Sequence, residues 1–166
     1  MKSVRVVRVL GIPIMAATLG GPGVATADDT IEASLRSLEE VPAISSPARG
    51  SFRGEISDNG DSIDFKLSYS ALQADVLFAH IHFGQRSVNG GVAAFLCGGG
   101  GKPACPTPSG TVTGTVTAAD IIGPAGQGIA SGELDELLDA IDRGVAYVNV
   151  HSVLFPGGEI RGQIRD

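Results

Sequence analysis

The chain has 166 residues, with 12 Lys or Arg against 18 Asp or Glu and a formal net charge of −6 at neutral pH. Such an acidic balance repels nucleic acid and anionic lipid head groups, so neither is expected as a partner. The length suits one domain that buries its own core without external staples.

The N-terminus reads as an export signal. Lys2, Arg5 and Arg8 make a basic start, and Val9 to Leu19 runs without a charge. Gly20, Gly21, Pro22 and Gly23 break any helix, and Ala25-Thr26-Ala27 supplies the small-x-small pattern before Asp28. This order predicts a secretory signal peptide over residues 1–27, with a single domain over 28–166. The apolar run is shorter than the roughly 20 residues that span a bilayer, which argues against an uncleaved anchor. No Cys stands near the cleavage site, so no lipoprotein anchor is expected. Loss of three basic residues leaves nine basic side chains against eighteen acidic ones, a net charge of about −9. The expected destination is extracellular or periplasmic, with no membrane insertion after cleavage.

Many short strands follow. Ile31 to Leu38 alternates as a first strand, ended by Glu40-Val41-Pro42, and Gly50 to Ile56 is a second. Asp58-Asn59-Gly60-Asp61 is a tight hairpin connection, because Asn-Gly tolerates positive φ. Ser62 to Tyr69 places Ile63, Phe65, Leu67 and Tyr69 on one face. Val76 to Phe83, Gly91 to Cys97 and Gly110 to Val116 continue the series. Thr117 to Asp120 fits a capped short turn. Ser131 to Arg143 predicts one helix: Ser131 is placed to cap it, Leu134, Leu137, Leu138 and Ile141 form its apolar stripe, and Gly144 stops it. Glu133, Asp135, Glu136, Asp139 and Asp142 line its outer side as a solvated face. Val145 to Ser152 and Glu159 to Arg165 are the last strands, separated by a Pro156-Gly157-Gly158 turn. About eight strands and one short helix near 132–143 predict an all-β sandwich or barrel.

Cys97 and Cys105 flank a flexible GGGGKPA loop. In an exported chain the pair is expected to form one disulfide, the alternative being free or metal-binding thiols. A bridge over so short a loop contributes about 2 kcal/mol through loop closure.

The three histidines are not scattered. In Phe78-Ala79-His80-Ile81-His82-Phe83, Leu77, Ala79, Ile81 and Phe83 make the apolar face. His80 and His82 share the other, with Cα atoms roughly 7 Å apart. The same parity puts Tyr147, Asn149 and His151 opposite Val148 and Val150. It puts Glu159, Arg161 and Gln163 opposite Ile160, Gly162 and Ile164. If these strands are neighbours, one polar surface collects His80, His82, Asn149, His151, Glu159 and Arg161. Three imidazoles suit copper or zinc, with Asn149, Glu159 or Arg161 supporting them. The same residues also suit a hydrogen-bonded network without an ion, with Glu159 and Arg161 as a simple ion pair. The residues alone leave both readings open.

No nucleophile constellation is present. There is no GxSxG, no cysteine free to pair with histidine if the two are bridged, and no close pair of carboxylates. The glycines from Gly98 to Gly101 lack the GK[ST] ending and the following helix of a phosphate loop. Catalytic residues are accordingly not expected.

The segments Glu40-Val41-Pro42, His80-Ile81-His82-Phe83-Gly84, Asn89-Gly90-Gly91-Val92, Ser109-Gly110-Thr111-Val112, Tyr147-Val148-Asn149-Val150-His151-Ser152 and Pro156-Gly157-Gly158-Glu159-Ile160-Arg161-Gly162-Gln163-Ile164, in this order, resemble the CHRD domain. This module is named after chordin and is found in secreted proteins, many of them bacterial. The resemblance covers residues 31–165. It implies an immunoglobulin-like or barrel-like fold with limited similarity to copper/zinc superoxide dismutase, and no settled biochemical role. His80 and His82 match the strand HxH of the dismutases, and His151 could match their late histidine. The bridging and zinc-only histidines have no counterpart here, so a dinuclear site is excluded and a mononuclear one is all these residues allow.

The resulting expectation is a non-enzymatic exported binding or structural module, with an unknown protein or a metal ion as its ligand. The alternative is an exported mononuclear copper- or zinc-binding protein using His80, His82 and His151, with marginal redox chemistry at most. No other cofactor is expected.

Overall fold

A computed structural model describes residues 29–166. The proposed signal peptide and its cleavage site lie outside the described residues. Eight antiparallel strands form one sheet: β1 (Thr30–Arg36), β2 (Arg49–Ile56), β3 (Ser62–Ser70), β4 (Val76–Phe83), β5 (Gly91–Cys97), β6 (Gly110–Thr117), β7 (Ala146–Ser152) and β8 (Ile160–Gln163). The spatial order is β5-β4-β7-β8-β1-β2-β3-β6. The two ends of this sheet nearly meet. Beyond β6, Ile121 bridges Ala94 of β5, and the Ile122 N–H donates to Ala93 O at 2.9 Å. The sheet thus curls into an almost closed barrel, which shields most of its edge groups.

Alternation along the strands fills the barrel. Ile31, Ala33 and Leu35 of β1, Phe52 of β2, Ile63, Phe65 and Leu67 of β3, Ala79 and Ile81 of β4, and Val148 and Val150 of β7 are all buried in one core. Helix α1 (Leu134–Asp142) buries Leu134, Leu137, Ala140 and Ile141 and exposes Asp135, Glu136, Asp139 and Asp142, as the helical stripe predicts. Cys97, at the end of β5, is bridged to Cys105 in the loop leading to β6.

Several local expectations need correction. The first strand ends at Arg36, and residues Ser37–Glu39 turn into one 3-10 turn. Ser131 does not cap α1. Its hydroxyl donates to Ile121 O at 3.0 Å, and the Glu133 carboxylate accepts from the Ala130 N–H at 2.6 Å instead. Two residues of extra loop separate Ser131 from the first helical turn, too far for a side chain to reach its amides. The last strand is shorter than expected, although Arg165 still bridges Glu32 of β1. At Gly162, opposite the inward-facing Val148, an added Cβ would stand 2.4 Å from Ser34 O, so β8 crosses close against the β1 backbone there. Only glycine fits so close an approach.

The outward face of the barrel is polar over β1, β2, β3 and β6, and mixes polar side chains with Phe78, Phe95 and Tyr147 over β4, β5 and β7. One register row runs around it through His80 of β4, Asn149 of β7, Arg161 of β8, Arg36 of β1, Arg49 of β2 and Ser70 of β3. Where the row crosses β1 to β3 its arginines are exposed. Where it crosses β4, β7 and β8 it is buried beneath loops. The expected polar surface is therefore a polar interior layer, 7% exposed or less at every one of its six residues. Three covering segments, near residues 37–48, 84–90 and 153–159, make the difference.

Candidate metal centre

The strand register builds the cluster. On β4 and β7, His80 stands opposite Asn149, His82 opposite Tyr147, and Phe78 opposite His151. Period-2 alternation aims all these side chains outward, into the space beneath the covering loops. One nitrogen from each of His80, His82 and His151 lies within 4.8 Å of the other two.

Hydrogen bonds to backbone carbonyls identify which ring nitrogens carry protons. His82 Nδ1 lies 3.0 Å from Gly90 O, and His151 Nδ1 lies 2.9 Å from Pro156 O. A carbonyl only accepts, so both Nδ1 atoms are N–H donors. In the neutral rings Nε2 then holds a lone pair. His151 Nε2 lies 3.2 Å from His80 Nδ1; Asn149 Oδ1, 2.9 Å away, is an acceptor and gives this lone pair no proton. The His80 Nδ1–H can donate to that lone pair. His80 Nε2 and His82 Nε2 are buried without any hydrogen-bond partner.

Burial keeps these rings neutral. Desolvation, with His151 and His82 nearby, lowers the His80 pKa to about 3. Desolvation is also the largest influence on His82, lowered to about 4, and it lowers His151. Neutral imidazole is the ligand form, so no proton has to leave before an ion is bound at neutral pH. Aromatic rings seal the pocket: Phe78 and Phe95 pack on His80 at 4.9 and 4.4 Å between centroids, and Tyr147 stacks parallel to His82 at 4.6 Å.

The remaining polar residues divide into two groups. Arg161 lies 3.4 Å from the centre of the Tyr147 ring and donates to Gln85 O and Val88 O, each at 2.9 Å. It therefore fastens the loop after β4 over the histidines. Glu159 is not its partner, contrary to the simple ion-pair expectation. The Glu159 carboxylate accepts from Ser46 Oγ and Ser152 Oγ, both at 2.6 Å, and from the Gln73 N–H at 3.0 Å. Glu159 precedes β8, and it anchors two other loops away from the imidazoles.

The carboxylate that does belong beside Arg161 is Glu40, which strand parity did not single out. It is buried, and desolvation raises its pKa to about 7 despite the opposing Arg161 charge and hydrogen bonding from Val41 and Asn149. Its Oε1 has no hydrogen-bond partner. Glycine at 158, with φ +127°, leaves it room: a Cβ there would stand 2.5 Å from Glu40 Oε1. The one signal in the sequence is an acidic residue wedged before Val41-Pro42, inside a segment already quoted for the family.

The donor set fits one ion. Three nitrogens no more than 4.8 Å apart share a point within about 2.8 Å of each, so ring shifts under about 1 Å reach the 2.0–2.1 Å of a zinc–imidazole bond. The two rings locked by Nδ1–H bonds to carbonyls have the orientation that metal-binding histidines commonly show.

Together these features define a curled, nearly closed antiparallel barrel with a loop-covered histidine cluster on its outward face. The chain belongs to the CHRD domain family, whose model matches residues 31–164. No curated protein and no solved structure matches the chain significantly.

Proposed function

We propose that this protein is an exported, non-enzymatic binding module whose ligand is a single copper or zinc ion held by His80, His82 and His151. The observation that carries this reading is the pair of buried, unpartnered Nε2 atoms on His80 and His82, beside a third imidazole in reach. A buried imidazole lone pair without a donor costs on the order of 1–3 kcal/mol, which a bound cation would recover. Most buried polar atoms in a purely structural network have hydrogen-bond partners.

When bound, the ion would supply Lewis acidity or one-electron chemistry. The chain's own residues supply binding and enclosure. Gly90 O and Pro156 O fix two rings, Arg161 and Tyr147 hold the covering loop, and Phe78 and Phe95 exclude water. Among the described residues no buried nucleophile is hydrogen-bonded to a histidine as general base, which favours holding an ion over acting on a substrate. The Cys97–Cys105 bridge suits an oxidising compartment, and no described helix is long and apolar enough to cross a membrane.

Metal analysis of the purified protein after exposure to micromolar copper or zinc tests the reading. About one ion per chain is expected, lost in both His80→Ala and His151→Ala. A folded protein that takes up neither metal would overturn it.

A further inference from the structure

The exposed half of the outward face, on β1, β2, β3 and β6, has no part in the histidine cluster. It holds a cleft of about 1100 Å³, lined by Arg36, Arg49 and a row of hydroxyls, with no Asp or Glu among its lining residues. Arg36 and Arg49 stand directly opposite each other in the β1–β2 register. Like charges opposite each other on a sheet destabilise it. Among the described residues neither forms an ion pair, whereas Arg53, Arg86, Lys102 and Arg143 all do. Ser34, Ser51, Ser68 and Thr111 occupy one row across the same four strands. They repeat hydroxyl groups at the strand spacing of about 4.8 Å.

An adjoining cleft shares Ser34, Arg36, Ser51 and Ser68 and brings in Arg53, Lys66, Arg86 and Arg165. The two clefts together are lined by six basic and only three acidic residues, Glu32, Glu39 and Asp166. In a chain of net charge −6 this is a pronounced local reversal of sign. Such a face concentrates polyanions against the general repulsion of the molecule.

We propose that this face binds an acidic polysaccharide, a chain of sugars carrying carboxylate or sulfate groups. Paired guanidiniums bind such oxyanions bidentately, and the hydroxyl row offers both donors and acceptors to the sugar hydroxyls. Single-stranded nucleic acid would need aromatic platforms for its bases. The two aromatic residues lining the clefts, Phe52 and Tyr69, are both buried, and Tyr69 donates its hydroxyl to Pro106 O at 2.6 Å. A lipid surface would need an apolar face, and here the large exposed apolar side chain is Leu38 alone.

Affinity electrophoresis of the purified protein through gels containing dextran sulfate, polygalacturonate or neutral dextran tests the assignment. Retardation is expected in at least one of the two anionic gels and not in neutral dextran. It should weaken at least tenfold in an Arg36→Ser/Arg49→Ser double variant with an unchanged melting curve. Arg143→Ser, which removes a basic group from α1, should leave it unchanged. The single variants Arg36→Ser and Arg49→Ser serve if the double variant melts early, each losing part of the retardation. The proposal is overturned by free migration in both anionic gels at low salt, by equal retardation of the arginine variants, or by tighter binding to single-stranded DNA or phosphatidylserine vesicles.

Discussion

Glu40 and the histidines respond to pH in opposite directions. The Glu40 carboxyl, at about 7 in the folded chain against 4.5 as a free group, holds a proton that the unfolded chain has released between those values. Its contribution to stability is present below pH 4.5 and lost as pH rises through 7. His80 and His82, at about 3 and about 4 against 6.5, behave conversely. Their contribution is present above pH 6.5 and lost as pH falls toward those values. Between pH 4.5 and 6.5 the two effects partly cancel. Glu40→Gln should therefore match the parent protein closely at pH 5 and exceed it in stability at pH 8, as measured by urea unfolding. A difference that stays constant across pH would show that Glu40 titrates as an ordinary carboxylate. At this scale alternation grouped His80, His82, Asn149, His151 and Arg161 correctly on one side of the sheet. It could not find Glu40, which follows a 3-10 turn and enters a loop with no period to follow. It also misassigned Glu159, because sharing a face with Arg161 does not decide which loop a carboxylate meets.

Among the elements, β8 is held closely on both sides. Its four residues join β7 to β1 and carry Arg161, and Gly162 allows the strand to pass against Ser34. Gly162→Ala would push a methyl group into the β1 carbonyl. It is expected to cost about 2 kcal/mol, in the range of overpacked sites, as a lower urea midpoint with an unchanged slope. The strands were legible because half of each buries apolar side chains, so a period of two survives in the sequence. The helix was legible from its stripe, but its start was not. Ser131 has the chemistry of a cap, yet the chain first bonds back to Ile121. Such a non-local choice leaves no local mark.

On the scale of the whole molecule, the barrel closes where the Cys97–Cys105 loop leaves β5 and where Ile121 and Ile122 stitch the segment beyond β6 onto β5. Replacing both cysteines by serine, or adding reductant, should lower unfolding free energy by about 2 kcal/mol without changing the strand content seen by circular dichroism. Loss of folding altogether would show that the bridge, rather than the backbone bonding at the seam, completes the barrel. The outward face divides at β1. On one side loops pinned by Arg161, Asn89 and Glu159 bury it, and on the other it lies open with Arg36 and Arg49 unpaired.

By itself the sequence determined the strand set, the helical stripe, the cysteine pair and which histidines share a side, since each follows from local periodicity or composition. It determined the family through the order of a few short segments. Only the tertiary structure decided that the polar side over β4, β7 and β8 is an interior and that Glu40 belongs to it. It alone showed that one register row carries buried histidine and exposed arginine alike. Burial of a sheet face depends on which loops fold back across it, and those loops are held by hydrogen bonds between residues far apart in the chain.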